Sequence, residues 1–179
     1  AVETIEVTGD ASGELLGYSF DTAGDVDGDG QVDLIVGAIS PSASHTVRGS
    51  AYLLYGPVDA NLEVPQIGAS VPGTRFTFPD PNTGDSLGVR TRGLGDLDGD
   101  GLAEVGFGSH GDGVDPSAAF VMAGDPVRYT GRHDVDPSVP DSYTAVVQID
   151  DGFVDPDGFH ADPGRAGDVN GDGYDDLVV

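Results

Sequence analysis

Short apolar runs separated by glycine- and aspartate-rich turns set the rhythm of this chain. Residues 2–7 set Val2, Ile5 and Val7 against Glu3 and Glu6, a strand pattern. Residues 9–14 read as a turn and residues 15–20 as a short strand. A strand over 34–39 follows, built on Leu34-Ile35-Val36-Gly37-Ala38, and then a polar loop over 40–48. Residues 49–56, bounded by Gly49 and Gly56, and the alternating residues 74–78 complete a first set, with 61–73 irregular. The series then restarts: 86–90, 105–108, 118–124 and 143–149 repeat the four strands, and Phe159-His160 and Leu177-Val178-Val179 open a third set. The aromatics Tyr18, Phe20, Tyr52, Tyr55, Phe76 and Phe78 are expected in the sheet core. No segment has a convincing helical period, and no apolar stretch reaches the roughly 18 residues of a membrane-spanning helix.

Between the first two strands of each set lies one acidic pattern. It runs Asp25-Val26-Asp27-Gly28-Asp29-Gly30-Gln31-Val32-Asp33, returns as Asp96-Leu97-Asp98-Gly99-Asp100-Gly101-Leu102-Ala103-Glu104, and returns again as Asp168-Val169-Asn170-Gly171-Asp172-Gly173-Tyr174-Asp175-Asp176. Oxygen-bearing side chains occupy positions 1, 3, 5 and 9, with glycine at 4 and 6. Such a loop gathers hard oxygen donors around a small volume, and Ca²⁺ is the natural occupant. Without a cation, three or four close carboxylates repel one another; a divalent ion reverses the sign of that energy. Glycine at position 6 permits a sharp turn. Position 7 offers only its backbone carbonyl, so its identity is free: Gln31, Leu102 and Tyr174. Asp33, Glu104 and Asp176 close the shell, and Asn170 still supplies a carbonyl oxygen. The expected ligands are therefore Asp25, Asp27, Asp29, Gln31 and Asp33; Asp96, Asp98, Asp100, Leu102 and Glu104; and Asp168, Asn170, Asp172, Tyr174 and Asp176, for about three Ca²⁺ sites.

An EF-hand is excluded, because its position 12 must be a bidentate acid flanked by helices. Here that position is Val36, Phe107 or Val179, in β-like surroundings. Dockerin-type loops fail for the same reason, and cysteine-stapled calcium repeats fail because the chain has no cysteine. A lone Asp-Gly cluster is as readily a solvated turn. Three copies in one register, each running into an apolar strand, argue for metal.

The loop starts lie 71 and 72 residues apart, at positions 25, 96 and 168. Each period holds about four short strands, the signature of propeller blades or a related β-array. The expected fold is all-β, with four-stranded antiparallel units of the propeller type. The units run over about 15–85, 86–156 and, in part, 157–179. A blade needs neighbours to cover its faces, so this is expected to be an incomplete propeller: part of a longer protein, or one member of an assembly. A start at Ala1 fits a mature or trimmed product.

Composition sharpens the picture at two points. The chain has 32 acids against seven arginines and no lysine, a net charge of −25. Phosphate binding needs basic side chains, so nucleic acid is not an expected partner. Three Ca²⁺ would offset only six of those charges, so the surface itself is acidic, as it is in proteins suited to high salt. Zero cysteine rules out disulfides without fixing a compartment. Chemistry is not in evidence elsewhere. His45, His110, His133 and His160 lack zinc spacing, and His160 beside Asp162 is an incidental loop pair rather than an acid–base couple. No nucleophile elbow or phosphate loop occurs. No catalytic residue is assigned. Asp134-Val135-Asp136 and Asp150-Asp151 read as solvated turns, and Asp155-Pro156-Asp157 as a weak secondary calcium candidate.

Leu16-Gly17-Tyr18-Ser19, Gly24 to Gly30 and Asp33 to Ala38 together resemble the FG-GAP repeat of integrin α-subunit propellers and their bacterial and archaeal relatives. Leu87-Gly88 through Gly108-Ser109 is similar, as is Phe159 to Val179. The sequence departs from the family pattern at His160, where glycine is usual. It departs again after Gly37-Ala38, which no proline follows, and at Gly108-Ser109-His110. The resemblance implies a β-propeller, commonly seven-bladed, with Ca²⁺ in the hairpin loop between the first two strands of a blade. It also implies a non-enzymatic role in adhesion, ligand binding or scaffolding at the cell surface or outside the cell. Expected partners are a protein or glycan ligand, with self-association through open sheet edges. The alternatives are a subunit of an extracellular fibre or surface layer, and an accessory domain of a secreted enzyme.

Overall fold

The computed structural model describes residues 4–9, 14–39, 49–79, 86–110, 117–136, 139, 144–149 and 161–179. Among them are thirteen strands and one 3₁₀ turn, Val64–Gln66. The strands are β1 (Val7–Thr8), β2 (Leu15–Gly24), β3 (Asp33–Ile39), β4 (Ser50–Leu54), β5 (Leu62–Glu63), β6 (Gly73–Thr77), β7 (Ser86–Gly95), β8 (Glu104–His110), β9 (Ser117–Met122), β10 (Gly131–Asp134), β11 (Ala145–Ile149), β12 (Gly164–Gly167) and β13 (Asp176–Val178).

Two blades follow from the repeat. In the first, β2, β3, β4 and β6 form an antiparallel meander; in the second, β7, β8, β9 and β11 do the same. The pair β12–β13 is the hairpin that opens a third unit. The blades are tied by an exchange. β10, from the second unit, adds to the outer edge of the first as a parallel partner of β6, pairing Gly131–Asp134 with Thr74–Thr77. β5 makes the same move in small, parallel to β1. An added strand covers the unpaired edge of β6.

The strand periodicity of two decides which side chains meet. On β4, Ala51 and Leu53 enter the core between the blades, with Tyr55 just beyond the strand, while Tyr52 and Leu54 face the opposite way. The inter-blade core joins Ile35, Leu53 and Phe76 to Leu87, Val105, Phe107 and Phe120, and the rings of Phe76 and Phe107 lie 4.8 Å apart. The outer face of the first blade packs Tyr52 and Leu54 on Leu62, Val64 and Ile67. Every residue of β4 is buried, as expected of a short continuous apolar run enclosed on both faces.

Several expectations need correction. β2 extends to Gly24, beyond residue 20, because antiparallel pairing with β3 continues to the start of the acidic loop. Residues 61–73 contain β5 and the 3₁₀ turn rather than irregular chain. Tyr18 and Phe20 do not enter the core: they are 49% and 74% exposed on the edge strand β2. Asp134-Val135-Asp136 is not simply a solvated turn, since Val135 is fully buried and its N–H donates to the Thr77 carbonyl at 2.8 Å. His133 packs edge-on against Phe76 and Tyr129. Asp150-Asp151, Asp155-Pro156-Asp157, Phe159, His45 and His160 lie outside the described residues.

Candidate metal centre

Each acidic stretch closes a hairpin. Residues 25–33 join β2 to β3, 96–104 join β7 to β8, and 168–176 join β12 to β13, with position 9 as the first residue of the outgoing strand. The local fold is written in side chain to backbone hydrogen bonds, the Asx pattern open to aspartate and asparagine. At position 1, Asp25 accepts the N–H groups of Gly28 and Gly30 at 2.8 and 2.9 Å, one on each oxygen. Asp96 does the same with Gly99 and Gly101 at 2.7 and 3.0 Å, and Asp168 with Gly171 and Gly173 at 2.6 and 2.9 Å. The glycines at positions 4 and 6 all have positive φ, between 75° and 97°. A side chain would resist both turns.

The odd positions continue the curl. Position 3 accepts the N–H of position 5, as Asp27 from Asp29, Asp98 from Asp100 and Asn170 from Asp172. Position 5 accepts the N–H of position 7, as Asp29 from Gln31, Asp100 from Leu102 and Asp172 from Tyr174. Position 9 latches the loop shut on the N–H of position 2: Asp33 on Val26 at 2.9 Å, Glu104 on Leu97 at 2.6 Å and Asp176 on Val169 at 2.7 Å. This curl brings oxygens of Asp25, Asp27 and Asp29 within 4.8 Å of one another, and likewise those of Asp96, Asp98 and Glu104. The donors are all hard oxygens, the set suited to Ca²⁺ rather than to a softer transition metal. In the third loop, where Asn170 replaces an acid, the same backbone bonds form.

Position 9 has a second partner that the motif alone does not show. The other oxygen of Asp33 accepts the N–H of Gly56 at 2.8 Å, and that of Glu104 accepts the N–H of Gly124 at 3.2 Å. Gly56 and Gly124 stand at matching points just beyond β4 and β9, so aligning the repeats would have found them. Burial pushes the carboxyl groups of Asp33 and Glu104 up from their ordinary range, against the backbone hydrogen bonds that lower them; neighbouring loop aspartates push in the same direction as burial. Asp33→Asn keeps one acceptor for two buried N–H groups. In chelator, where metal plays no part, it is expected to cost about 1–3 kcal/mol. Asp29→Asn keeps the oxygen that serves Gln31 and is expected to cost less than about 1 kcal/mol. Urea unfolding of the two variants checks the difference.

The loops also touch one another. The N–H of Ala103 donates to the Asp25 carbonyl at 2.9 Å, and that of Asp175 to the Asp96 carbonyl at 3.0 Å. Position 7 of one loop lies over position 4 of the loop before: Leu102 over Gly28 and Tyr174 over Gly99, so close that a Cβ on either glycine would meet the side chain at 2.9 and 1.9 Å. Arg128, on the segment leading to β10, pairs its Nε with Asp27 and its Nη2 with Asp29 at 2.7 Å, while its guanidinium lies 5.0 Å from the ring centre of Tyr55. No sequence pattern marked Arg128.

Comparison with known proteins agrees with this architecture. Residues 16–54 match the FG-GAP repeat family model. The chain is 29% identical over 154 residues to "Integrin alpha pat-2" of Caenorhabditis elegans, and 30% identical over 156 residues to the protein of the same name in Caenorhabditis briggsae. Each alignment covers 86% of this chain and 11% of the relative, so the chain spans about a ninth of the length of the curated relatives it matches.

Proposed function

Because this chain carries an FG-GAP repeat and is related in sequence to integrin α-subunits, we propose that it is a calcium-stabilised, non-catalytic β-propeller segment serving adhesion or ligand binding outside the cell. Its units run over about 15–85, 86–156 and 157–179. The observation that carries the calcium reading is the set of matching hydrogen bonds in three loops, with acidic oxygens converging in the first two.

Asp25, Asp27, Asp29 and Asp33, with the Gln31 carbonyl, would hold the first ion. Asp96, Asp98, Asp100 and Glu104, with the Leu102 carbonyl, would hold the second, and Asp168, Asn170, Asp172 and Asp176, with the Tyr174 carbonyl, the third. Bound calcium supplies positive charge against which these oxygens can gather. The residues do the rest: positions 1 to 5 shape the curl, and position 9 fastens it to the outgoing strand. A protein or glycan ligand would be read by loops on a face of the array, since a fold by itself does not choose the ligand.

Calorimetric titration tests the reading. Calcium should bind at up to three sites with dissociation constants of roughly 10⁻⁴–10⁻³ M or tighter, the range of extracellular modules. Asp98→Ala with Asp100→Ala should remove one site. Absence of calcium binding at several millimolar would overturn the assignment.

A further inference from the structure

Loop 1 differs from its two repeats in one respect that bears on the ion itself. In every loop, one oxygen at position 3 and one at position 5 is engaged by a backbone N–H. In loop 1 the remaining oxygens, Oδ2 of Asp27 and Oδ2 of Asp29, both face Arg128. The two donors of one planar guanidinium thus span the two aspartates, a geometry a point charge cannot copy. Asp27 is nearly sealed from water, its side chain 2% exposed, while Arg128 keeps contact with solvent at 36%, so the pair is screened from the arginine side only. The Tyr55 ring lies beside the guanidinium, and the Tyr55 hydroxyl accepts the N–H of Tyr129, the next residue along, so the arm carrying Arg128 is held in place. Among the described residues no arginine reaches Asp98, Asp100, Asn170 or Asp172; Arg165 pairs with Asp175, at position 8, which is not an expected ligand.

We propose that Arg128 is a built-in cation for loop 1, competing with Ca²⁺ for Asp27 and Asp29 and holding this loop folded when metal is scarce. The proposal rests on the calcium reading above. Loop 1 then has the weakest calcium affinity of the two four-acid loops, although its acid count equals that of loop 2. The second blade, which supplies Arg128 from 99 residues away in sequence, thereby sets the affinity of a loop in the first. Calcium entry releases the guanidinium from its aspartates and loosens the arm that leads into β10.

The experiment compares Arg128 with Arg128→Gln in two measurements, calcium titration by calorimetry and melting in excess chelator. Both proteins also carry Asp98→Ala, Asp100→Ala and Asp172→Ala, so that loops 2 and 3 are silent. Expected for Arg128→Gln is a gain of roughly two- to fivefold in calcium affinity at loop 1, the size of a partly exposed ion pair, together with a lower melting temperature in chelator. Arg128→Lys, which keeps the charge but loses the fork, should fall between, and it serves as the second variant where Arg128→Gln folds poorly. Unchanged or weakened calcium affinity in both variants overturns the proposal. Failure of the underlying calcium reading looks different: no calcium heat in any protein, including the unsubstituted chain with loops 2 and 3 intact, and that result overturns both.

Discussion

Stripping calcium from the purified chain is expected to lower its melting temperature by roughly 12–24 °C, the shift that about 6 kcal/mol produces in a domain of this size. The figure comes from mass action. An ion that binds the folded chain and not the unfolded one stabilises by RT ln(1 + [L]/Kd), about 2 kcal/mol per site when free calcium exceeds Kd roughly thirtyfold. Three loops triple it. The folded chain alone offers such sites, because the oxygens converge only after position 1 has drawn in two glycine amides and position 9 has fastened to the amide of position 2. Of the two four-acid loops, loop 1 should contribute less, since Arg128 already pairs with two of its aspartates. The measurement is a melt followed by β-sheet signal at about 5 mM calcium, repeated in excess chelator, with molecular mass recorded in both. A shift below about 2 °C, within what one weak site gives, would remove calcium as a structural element of this fold.

Gly88→Ala is expected to cost about 2–4 kcal/mol, while Gly17→Ala, the same position one repeat earlier, is expected to cost about 1 kcal/mol. Both glycines sit in a bulge of the first strand of a blade, where the register slips between Leu16 and Ser19 and between Leu87 and Arg90. Both have left-handed backbones, with φ of +80° and +85°. That conformation alone costs alanine about 1 kcal/mol or slightly more. Their surroundings differ. A Cβ on Gly17 meets nothing within 4 Å, whereas a Cβ on Gly88 would lie 2.1 Å from the Ser50 carbonyl oxygen of the neighbouring blade. The Gly88 carbonyl also accepts the Ser19 hydroxyl at 2.9 Å, so this is the seam between the blades. Relief of the clash requires the blades to part, which uncovers the core around Leu87 and Phe107. Denaturant midpoints of the two variants check the contrast. Equal costs would mean that the seam yields freely and does not hold the blades together.

The acidic loops were legible because their chemistry is local. Every hydrogen bond that shapes the curl spans seven residues or fewer, so the spacing of Asp and Gly carries the whole instruction. The runs that became β3, β4, β8 and β9 were legible for a similar reason: a short continuous apolar segment has few ways to hide except between two layers. What escaped notice depends on distant partners. β10 has the sequence Gly131-Arg132-His133-Asp134, which carries no strand pattern, and it is a strand because the edge of β6 accepts it. Tyr18 and Phe20 look like core residues by composition, yet they lie on the edge strand of the blade and stay about half or more exposed. Arg128 reaches loop 1 across 101 residues, and no window of sequence joins it to Asp27. The resemblance to FG-GAP repeats therefore carried the blade and its loop, while the exchange between blades had to come from the structure.

The row of loops has a mechanical consequence. Each loop hangs on the one before through an amide-to-carbonyl bond, from Ala103 to Asp25 and from Asp175 to Asp96, the latter joined by the Asp96 N–H donating to the Asp175 carboxylate at 3.1 Å, with a position 7 side chain packed over a glycine. Tilting one blade against the next must stretch that bond and lift that side chain, so resistance to bending is concentrated along the loop edge of the array. Under the calcium reading proposed above, an ion that stiffens a loop would stiffen the joint beside it, and the calcium content of the medium would become a setting for how rigidly the blades keep their pitch.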